Sequence, residues 1–358
     1  MAIEWANGVN GMISEAEWLK FPFDPKRPNE PIDQLFNDEQ SDNLKARWQS
    51  INSQQLIPKM AKYHAFDTES NKTYRPVLEN HQIEKGLIKV KINTSETLLA
   101  AMQNGITVPD RLAEYVFNDA FNLAEQIKTR TLVAKYELAA TGAVTIGENN
   151  LSLTVDFGVS AAQKSYTIDL GVNSDILGAI QGIIDAAKEK GVVINGMITA
   201  GKNITKMRKN TKVQTAINGS AASGATVKRS SFEDYLATEY GITKIIEADG
   251  IYNPDNEDMT ASTSVGNIQS LRYYPETKIT FFSTMPNGRL GTGLWGVPPA
   301  VQNKLISTNG TSADRYIYVD QWTEHDPDVL WTRASAVFIP ILVNPDSLYI
   351  ATVTDSGV

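Results

Sequence analysis

Pro109-Asp110-Arg111-Leu112-Ala113-Glu114-Tyr115-Val116 opens a stretch that closes on Leu138-Ala139-Ala140-Thr141-Gly142. Its reading organises the rest of the chain. Proline suits a first helical turn, where its missing N–H costs nothing, and glycine suits the position just past a helix end. Asp110 complements the positive end of the helix dipole. Leu112, Val116, Ala120, Leu123, Ile127, Ala134 and Leu138 recur at spacings of three and four, with Arg111, Glu114, Asn118, Asn122, Glu125, Lys128 and Lys135 on the other side. Residues 109–141 therefore predict one amphipathic helix about 50 Å long, at 1.5 Å per residue. Thr129-Arg130-Thr131 is the place for a bend or break. No site is implied; this is a core helix.

Upstream of it, residues 57–93 read as a long hairpin. One arm is Lys59–Phe66, and the other is Leu87–Ile92, where apolar and basic residues alternate. The polar stretch Asp67–Asn80 lies between them. A hairpin this long has too little core of its own and suggests a part that lies on another subunit. Residues 1–56 read as an arm. Pro22, Pro25, Pro28 and Pro31 make it extended, and a short helix is expected at Asp42–Ile51. Trp5, Trp18, Phe21, Phe23 and Phe36 would gain nothing on a free tail, so they dock on this chain or on a neighbour. Deleting residues 1–35 is expected to leave a folded core.

Downstream, a strand ends in Val155-Asp156-Phe157, and α/β alternation follows. Ser174 is read as the cap of a helix that stops at Gly191, and Val192–Thr199 as a strand. A helix is expected around Ile204–Asn210. Ser230 and Glu233 are read as a capping box before a helix ended by Gly241. Ile242–Tyr252, Thr277–Ser283, Arg315–Trp322, Val329–Leu342 and Leu348–Val353 are expected strands. The terminal strands are expected to pair beside the long helix, with Leu112, Val116, Leu123 and Ile127 packing on Phe338, Ile341 and Tyr349.

Composition bounds the chemistry. The 358 residues suggest about two domains. With no cysteine, disulfide scaffolds, thiol nucleophiles and thiolate metal sites are excluded. The three histidines, His64, His81 and His325, are far apart. A net charge of −8 argues against a surface devoted to nucleic acid. The N-terminus shows no signal-peptide pattern, and the longest apolar run, Ala336–Val343, is too short to span a bilayer. A soluble protein made in the cytoplasm is expected.

Candidate motifs are weak. Gly291-Thr292-Gly293-Leu294-Trp295-Gly296 matches GxGxxG, but prolines flank it and no strand-to-helix context is visible, so a glycine-rich loop is expected. Glu324-His325-Asp326-Pro327-Asp328 could orient an imidazole for base catalysis or ligate a metal, but reads more simply as a turn. Asp255-Asn256-Glu257-Asp258 lacks the calcium-loop register.

Two stretches carry a resemblance. Ala120–Gln126 running to Leu138–Gly142 and then Val155-Asp156-Phe157-Gly158 is one. Trp331-Thr332-Arg333-Ala334-Ser335-Ala336-Val337-Phe338-Ile339-Pro340-Ile341-Leu342 with Asn344-Pro345-Asp346 and Leu348–Val353 is the other. In this order, and with the weaker string Ser174–Thr199 and Tyr240-Gly241, the chain resembles the major capsid proteins of tailed bacteriophages, specifically the lambda-type major capsid protein E family. The resemblance implies an α+β chain of the Hong Kong 97-type fold. Its parts would be an arm (1–56), an extended loop (57–93), an axial domain (172–314), and a peripheral domain (94–171 and 315–358) with the spine helix. It implies a structural protein and not an enzyme, with no cofactor and no metal. Copies would form pentamers and hexamers of an icosahedral head around double-stranded DNA, without specific DNA binding or a membrane. Scaffold and portal proteins are implied partners, a decoration protein is left open, and the location is the virion. Trp18, Phe21, Phe23, Tyr63, Phe66, Lys89 and Lys91 are the assembly-interface candidates. Some family members crosslink through Lys–Asn bonds; no crosslink is expected from Lys85, Lys89 or Lys91. Two rivals are an encapsulin-like nanocompartment shell and, in another class, a soluble α/β enzyme using the Glu324–Asp328 cluster.

Overall fold

The computed structural model describes residues 30–50, 53–70, 72–94, 108–148, 151–221, 225–254, 270–299, 316–325 and 328–356. In chain order the strands are β1 (Phe36–Gln40), β2 (Lys45–Ser50), β3 (Glu79–Glu84), β4 (Gly86–Thr94), β5 (Ala143–Glu148), β6 (Leu151–Asp156), β7 (Tyr166–Asp169), β8 (Gly196–Thr199), β9 (Lys244–Glu247), β10 (Ile251–Tyr252), β11 (Leu271–Arg272), β12 (Lys278–Phe282), β13 (Gly291–Gly296), β14 (Tyr318–His325), β15 (Asp328–Leu342) and β16 (Leu348–Thr354). The helices are α1 (Val108–Thr141), α2 (Ile176–Glu189), α3 (Gly201–Lys209), α4 (Thr211–Asn218) and α5 (Arg229–Tyr240).

The long helix is as the sequence predicts, continuous through Thr129–Thr131. Gly142 ends it with φ 71°, and a Cβ there would run into the Val159 side chain, so two constraints select glycine. Around α1 lies a five-stranded sheet in the order β1-β13-β15-β14, with β4 also paired to β15. Leu123, Ile127 and Leu138 share one buried cluster with Phe338 and Ile341 of β15. The side chains of Leu112 and Val116 lie outside the described residues.

A second sheet has the order β7-β16-β12-β8-β9. Its core joins Ile180, Ile183, Met207, Phe232 and Leu236 of the helices to Met197, Phe281 and Tyr349 of the sheet. Here the expected pairing is corrected. β15 packs on α1, but β16 enters the second sheet between β7 and β12. Tyr349 therefore buries against Phe281 rather than against the long helix. The turn Asn344-Pro345-Asp346 redirects the chain, Asn344 capping its own turn by accepting from the Asp346 N–H. One buried polar chain couples the two cores: Tyr274 Oη lies 2.9 Å from Thr280 Oγ1, which donates to the Ala139 carbonyl of α1 at 2.8 Å.

Several local expectations change. Asp42–Ile51 is not a helix. Residues 45–50 form β2, whose Ala46, Trp48 and Ser50 line up with Ile83, His81 and Glu79 of β3. This cross-strand packing of Trp48 outweighs local helix preference. The glycine-rich loop is strand β13, held between β1 and β15. Its glycines serve close packing: a Cβ on Gly293 would collide with the Asp38 carboxylate and the Phe338 ring. Ser174 and Ser230 do not cap. Ser174 Oγ donates to the Asp169 and Gly171 carbonyls, and α5 starts one residue before Ser230, with Glu233 taken by Arg229. Gly191 and Gly241 do end their helices, both at positive φ.

The segment before β1 is part of the fold. Ile32 and Leu35 are fully buried with Phe36 beside them, so deletion of residues 1–35 would open the core, contrary to the expectation. Phe36 docks on its own chain. Lys135 of α1, itself buried, reaches Asp33 at 2.8 Å and Asp38 at 3.0 Å. Tyr136 donates to Glu30, and burial beside that carboxylate pushes its phenol far up.

Candidate assembly surface

Residues 53–78 leave and rejoin the body at fixed points. At the base, the Ser53 N–H donates to Asp346 Oδ2 at 2.9 Å. The β2–β3 ribbon is held by Trp48, whose ring stacks on His81 at 5.2 Å and touches Phe157 at 5.7 Å. His81 Nε2 also lies 2.7 Å from Ser50 Oγ. Beyond the ribbon no strand ladder continues, so the expected arm Lys59–Phe66 is not a strand. Its partner in the expected hairpin, Leu87–Ile92, pairs instead with β15. The reason is energetic: an isolated two-stranded excursion has nothing to bury one face against.

What crosslinks the excursion is sparse. Lys59 Nζ donates to the Tyr74 carbonyl at 3.1 Å, and the Val77 N–H to Gln55 Oε1 at 2.7 Å. The chain reverses at Phe66-Asp67, where Asp67 takes φ 63°, a left-handed conformation that aspartate tolerates. Apolar side chains face outward along it. Tyr63 and Phe66 are as exposed as free side chains, 106% and 99%, and Met60 and Tyr74 follow at 89% and 82%. Fully burying each such residue is worth about 1.5–3 kcal/mol, so the excursion is a store of unspent contact. Tyr63 and Phe66 were legible as candidates. Met60 and Tyr74 were not, because Tyr74 sits in a stretch read only as polar.

The other candidates separate. Lys89 and Lys91 are both exposed on β4, but Lys91 covers the Trp331 ring at 4.0 Å while Lys89 makes no ion pair among the described residues. Trp331 stacks on Trp322 and donates to Glu324 at 2.9 Å, so that carboxylate serves the sheet surface. Of the Glu324–Asp328 cluster, His325 and Asp328 are the last pair of the β14–β15 ladder, and Asp326 and Pro327 lie outside the described residues. Lys85 is buried and donates to the Ser41 and Trp295 carbonyls; burial lowers its ammonium pKa, against an opposing pull from Asp42. Trp5, Trp18, Phe21, Phe23 and Asp255–Asp258 lie outside the described residues. Among the described residues no group of three or more His, Cys, Asp or Glu could hold a metal ion, and no helix is long and apolar enough to cross a membrane.

Comparison with known proteins gives this geometry a context. The family model of the phage major capsid protein E matches residues 29–353. None of the curated proteins compared matches the sequence. Among solved structures, the chain is similar to the protein assigned as the capsid protein of a prophage of E. coli CFT073, with 13% identity, 98% of this chain and 99% of that one covered, and a TM-score of 0.53. It is also similar to a phage-related protein from Bordetella bronchiseptica RB50, with 10% identity, 92% and 94% covered, and a TM-score of 0.52. The spine helix against its sheet, the second sheet and the outward loop are thus the Hong Kong 97-type fold of a structural capsid-shell protein, and the chain belongs to the phage major capsid protein E family.

Proposed function

We propose that copies of this chain assemble as pentamers and hexamers into an icosahedral head that encloses double-stranded DNA, and that the loop at residues 57–78 is a principal contact between them. The observation that carries this reading is the apolar display on that loop. Met60, Tyr63, Phe66 and Tyr74 face solvent on a segment with no core of its own. A soluble chain does not keep four such residues on one projection without a surface to cover them. The work is mechanical, without catalysis, and the negative charge of the chain limits adhesion to the packaged DNA. Scaffold and portal proteins belong to this reading as partners, and synthesis to the host cytoplasm. The division into arm (1–56), extended loop (57–93), peripheral part (94–171 and 315–358) and axial part (172–314) is a proposal about roles. Phe36–Gln40 and Leu348–Thr354 contribute strands to sheets beyond their own parts. Trp18, Phe21 and Phe23 are proposed as further contacts.

Replacing residues 60–74 with a short Gly/Ser linker tests it. The expected result is a folded protein by circular dichroism that no longer closes into shells in negative-stain images. Shells of normal size and heat stability from this variant would overturn the role of the loop. A full-length chain that stays monomeric beside scaffold and portal proteins would overturn the assembly reading itself.

A further inference from the structure

The chain crosses from the second sheet to the first at residues 283–290, between β12 and β13. Two backbone bonds of 2.8 Å close the crossing, from the Met285 N–H to the Arg289 carbonyl and from the Gly288 N–H to the Met285 carbonyl. At its exposed tip an asparagine precedes a glycine, Asn287-Gly288. Gly288 takes φ 77°, and a Cβ there would meet no atom within 4 Å. The Asn287 side chain folds forward over that glycine, because its Oδ1 accepts from the Arg289 N–H at 3.1 Å.

We propose that Asn287 is a site of spontaneous deamidation in the folded chain, so that the crossing between the sheets ages chemically. Hydroxide takes the Gly288 amide proton, and the nitrogen attacks Asn287 Cγ. The Cγ–Nδ2 bond breaks, and Nδ2 takes a proton from water and leaves as ammonia. Water then opens the cyclic imide at either carbonyl, to aspartate or to isoaspartate. Three observations carry the proposal. No neighbouring side chain shields the glycine. The forward fold of Asn287 sets the electrophile over the peptide unit that holds the nucleophile, the arrangement that orientation rewards. The Arg289 N–H is already aimed at the oxygen on which charge develops during attack. Gly288 must first release the Met285 carbonyl, and one bond in an exposed turn opens more readily than one backed by a helix or a sheet. The other Asn-Gly pairs among the described residues are placed differently. Asn195 is held across to Thr284 by both ends of its amide, at 2.7 and 3.0 Å, and Gly196 is buried in β8. Asn218 is the last residue of α4, and the Gly219 N–H continues the helix bonding to the Thr215 carbonyl at 2.9 Å. Isoaspartate at 287 would lengthen the main chain by a methylene between Met285 and Arg289. The new carboxylate would also compete for Arg289, whose guanidinium lies 4.0 Å from Glu39.

The test is to incubate the purified full-length chain at mildly alkaline pH, folded and unfolded in urea, and to map its peptides by mass spectrometry. Enzymatic methylation of isoaspartyl groups separates the two products. Asn287 should convert at least as fast in the folded chain as in the unfolded one. Asn195 and Asn218 should convert about tenfold or more slowly when folded, as for groups released only by local opening. Protection of Asn287 to the same degree as these two overturns the proposal. Asn287→Gln keeps an amide but resists ring closure, so it should melt as the fresh protein does and stop conversion at this peptide. After equal incubation the natural chain should melt below the Asn287→Gln chain. Equal melting of the two after Asn287 has converted overturns the ageing of the crossing.

Discussion

Lys135 offers the sharpest test of how the N-terminal segment is fastened, because its two ends differ in solvation. The lysine side chain is 2% exposed, whereas the Asp33 and Asp38 carboxylates are 39% and 36% exposed. At about 3 Å and an effective dielectric constant of about 20, each pair attracts by roughly 5 kcal/mol before desolvation is subtracted. The ammonium has already given up its water; the carboxylates have kept much of theirs. Lys135→Met leaves two anions that can rehydrate and an apolar stem that still packs, so its cost should be about 1–2 kcal/mol, discounted for solvent screening. Asp33→Asn with Asp38→Asn strands a buried cation and should cost about 3–5 kcal/mol. Urea denaturation of the unassembled chain, followed by tryptophan fluorescence at equal slopes, measures the difference. The refuting result is Lys135→Met costing as much as the double aspartate variant, which would mean the lysine is not the desolvated partner.

Three further outcomes follow from the same geometry. A chain lacking residues 1–29 should keep its native circular dichroism and melting profile, whereas one lacking residues 1–36 loses Ile32, Leu35 and Phe36 and about 5–8 kcal/mol of burial, and should unfold on heating well before it. Thr280→Val leaves the Tyr274 hydroxyl without its buried partner and should cost about 1–3 kcal/mol; a neutral result would mean that a water replaces the hydroxyl. Lys85 binds its proton less tightly when folded than when unfolded, where the value is 10.5. Above the folded pKa the unfolded chain holds more protons, so stability should rise with pH until about 10.5 is passed. Lys85→Met should flatten that rise in urea midpoints; an unchanged slope refutes the assignment.

What the sequence revealed and what it hid divide by range. The spine helix, the glycine stops at 142, 191 and 241, and the apolar run into β15 are written in adjacent residues. So was the family, whose signature is their order. β2 was hidden because Trp48 is satisfied by His81 and Phe157, neither of them near in sequence. The glycines of β13 answer to Asp38, Phe338 and Ile341, which no local motif announces. Ser174 and Ser230 look like caps, yet a nearby carbonyl or an ion pair takes the group each would have used. Of the candidate surface, exposure of Tyr63 and Phe66 could be guessed from a hairpin without a core.

The place of β16 has a consequence for timing. It fills the gap between β7 and β12, strands made long before it. Until residues 348–354 leave the ribosome, β7 has no neighbour to its edge and Phe281 no Tyr349 register partner. The earlier part of the second sheet must wait as an incomplete and sticky intermediate. Closure of the second sheet therefore waits on β16, the last of its strands in chain order.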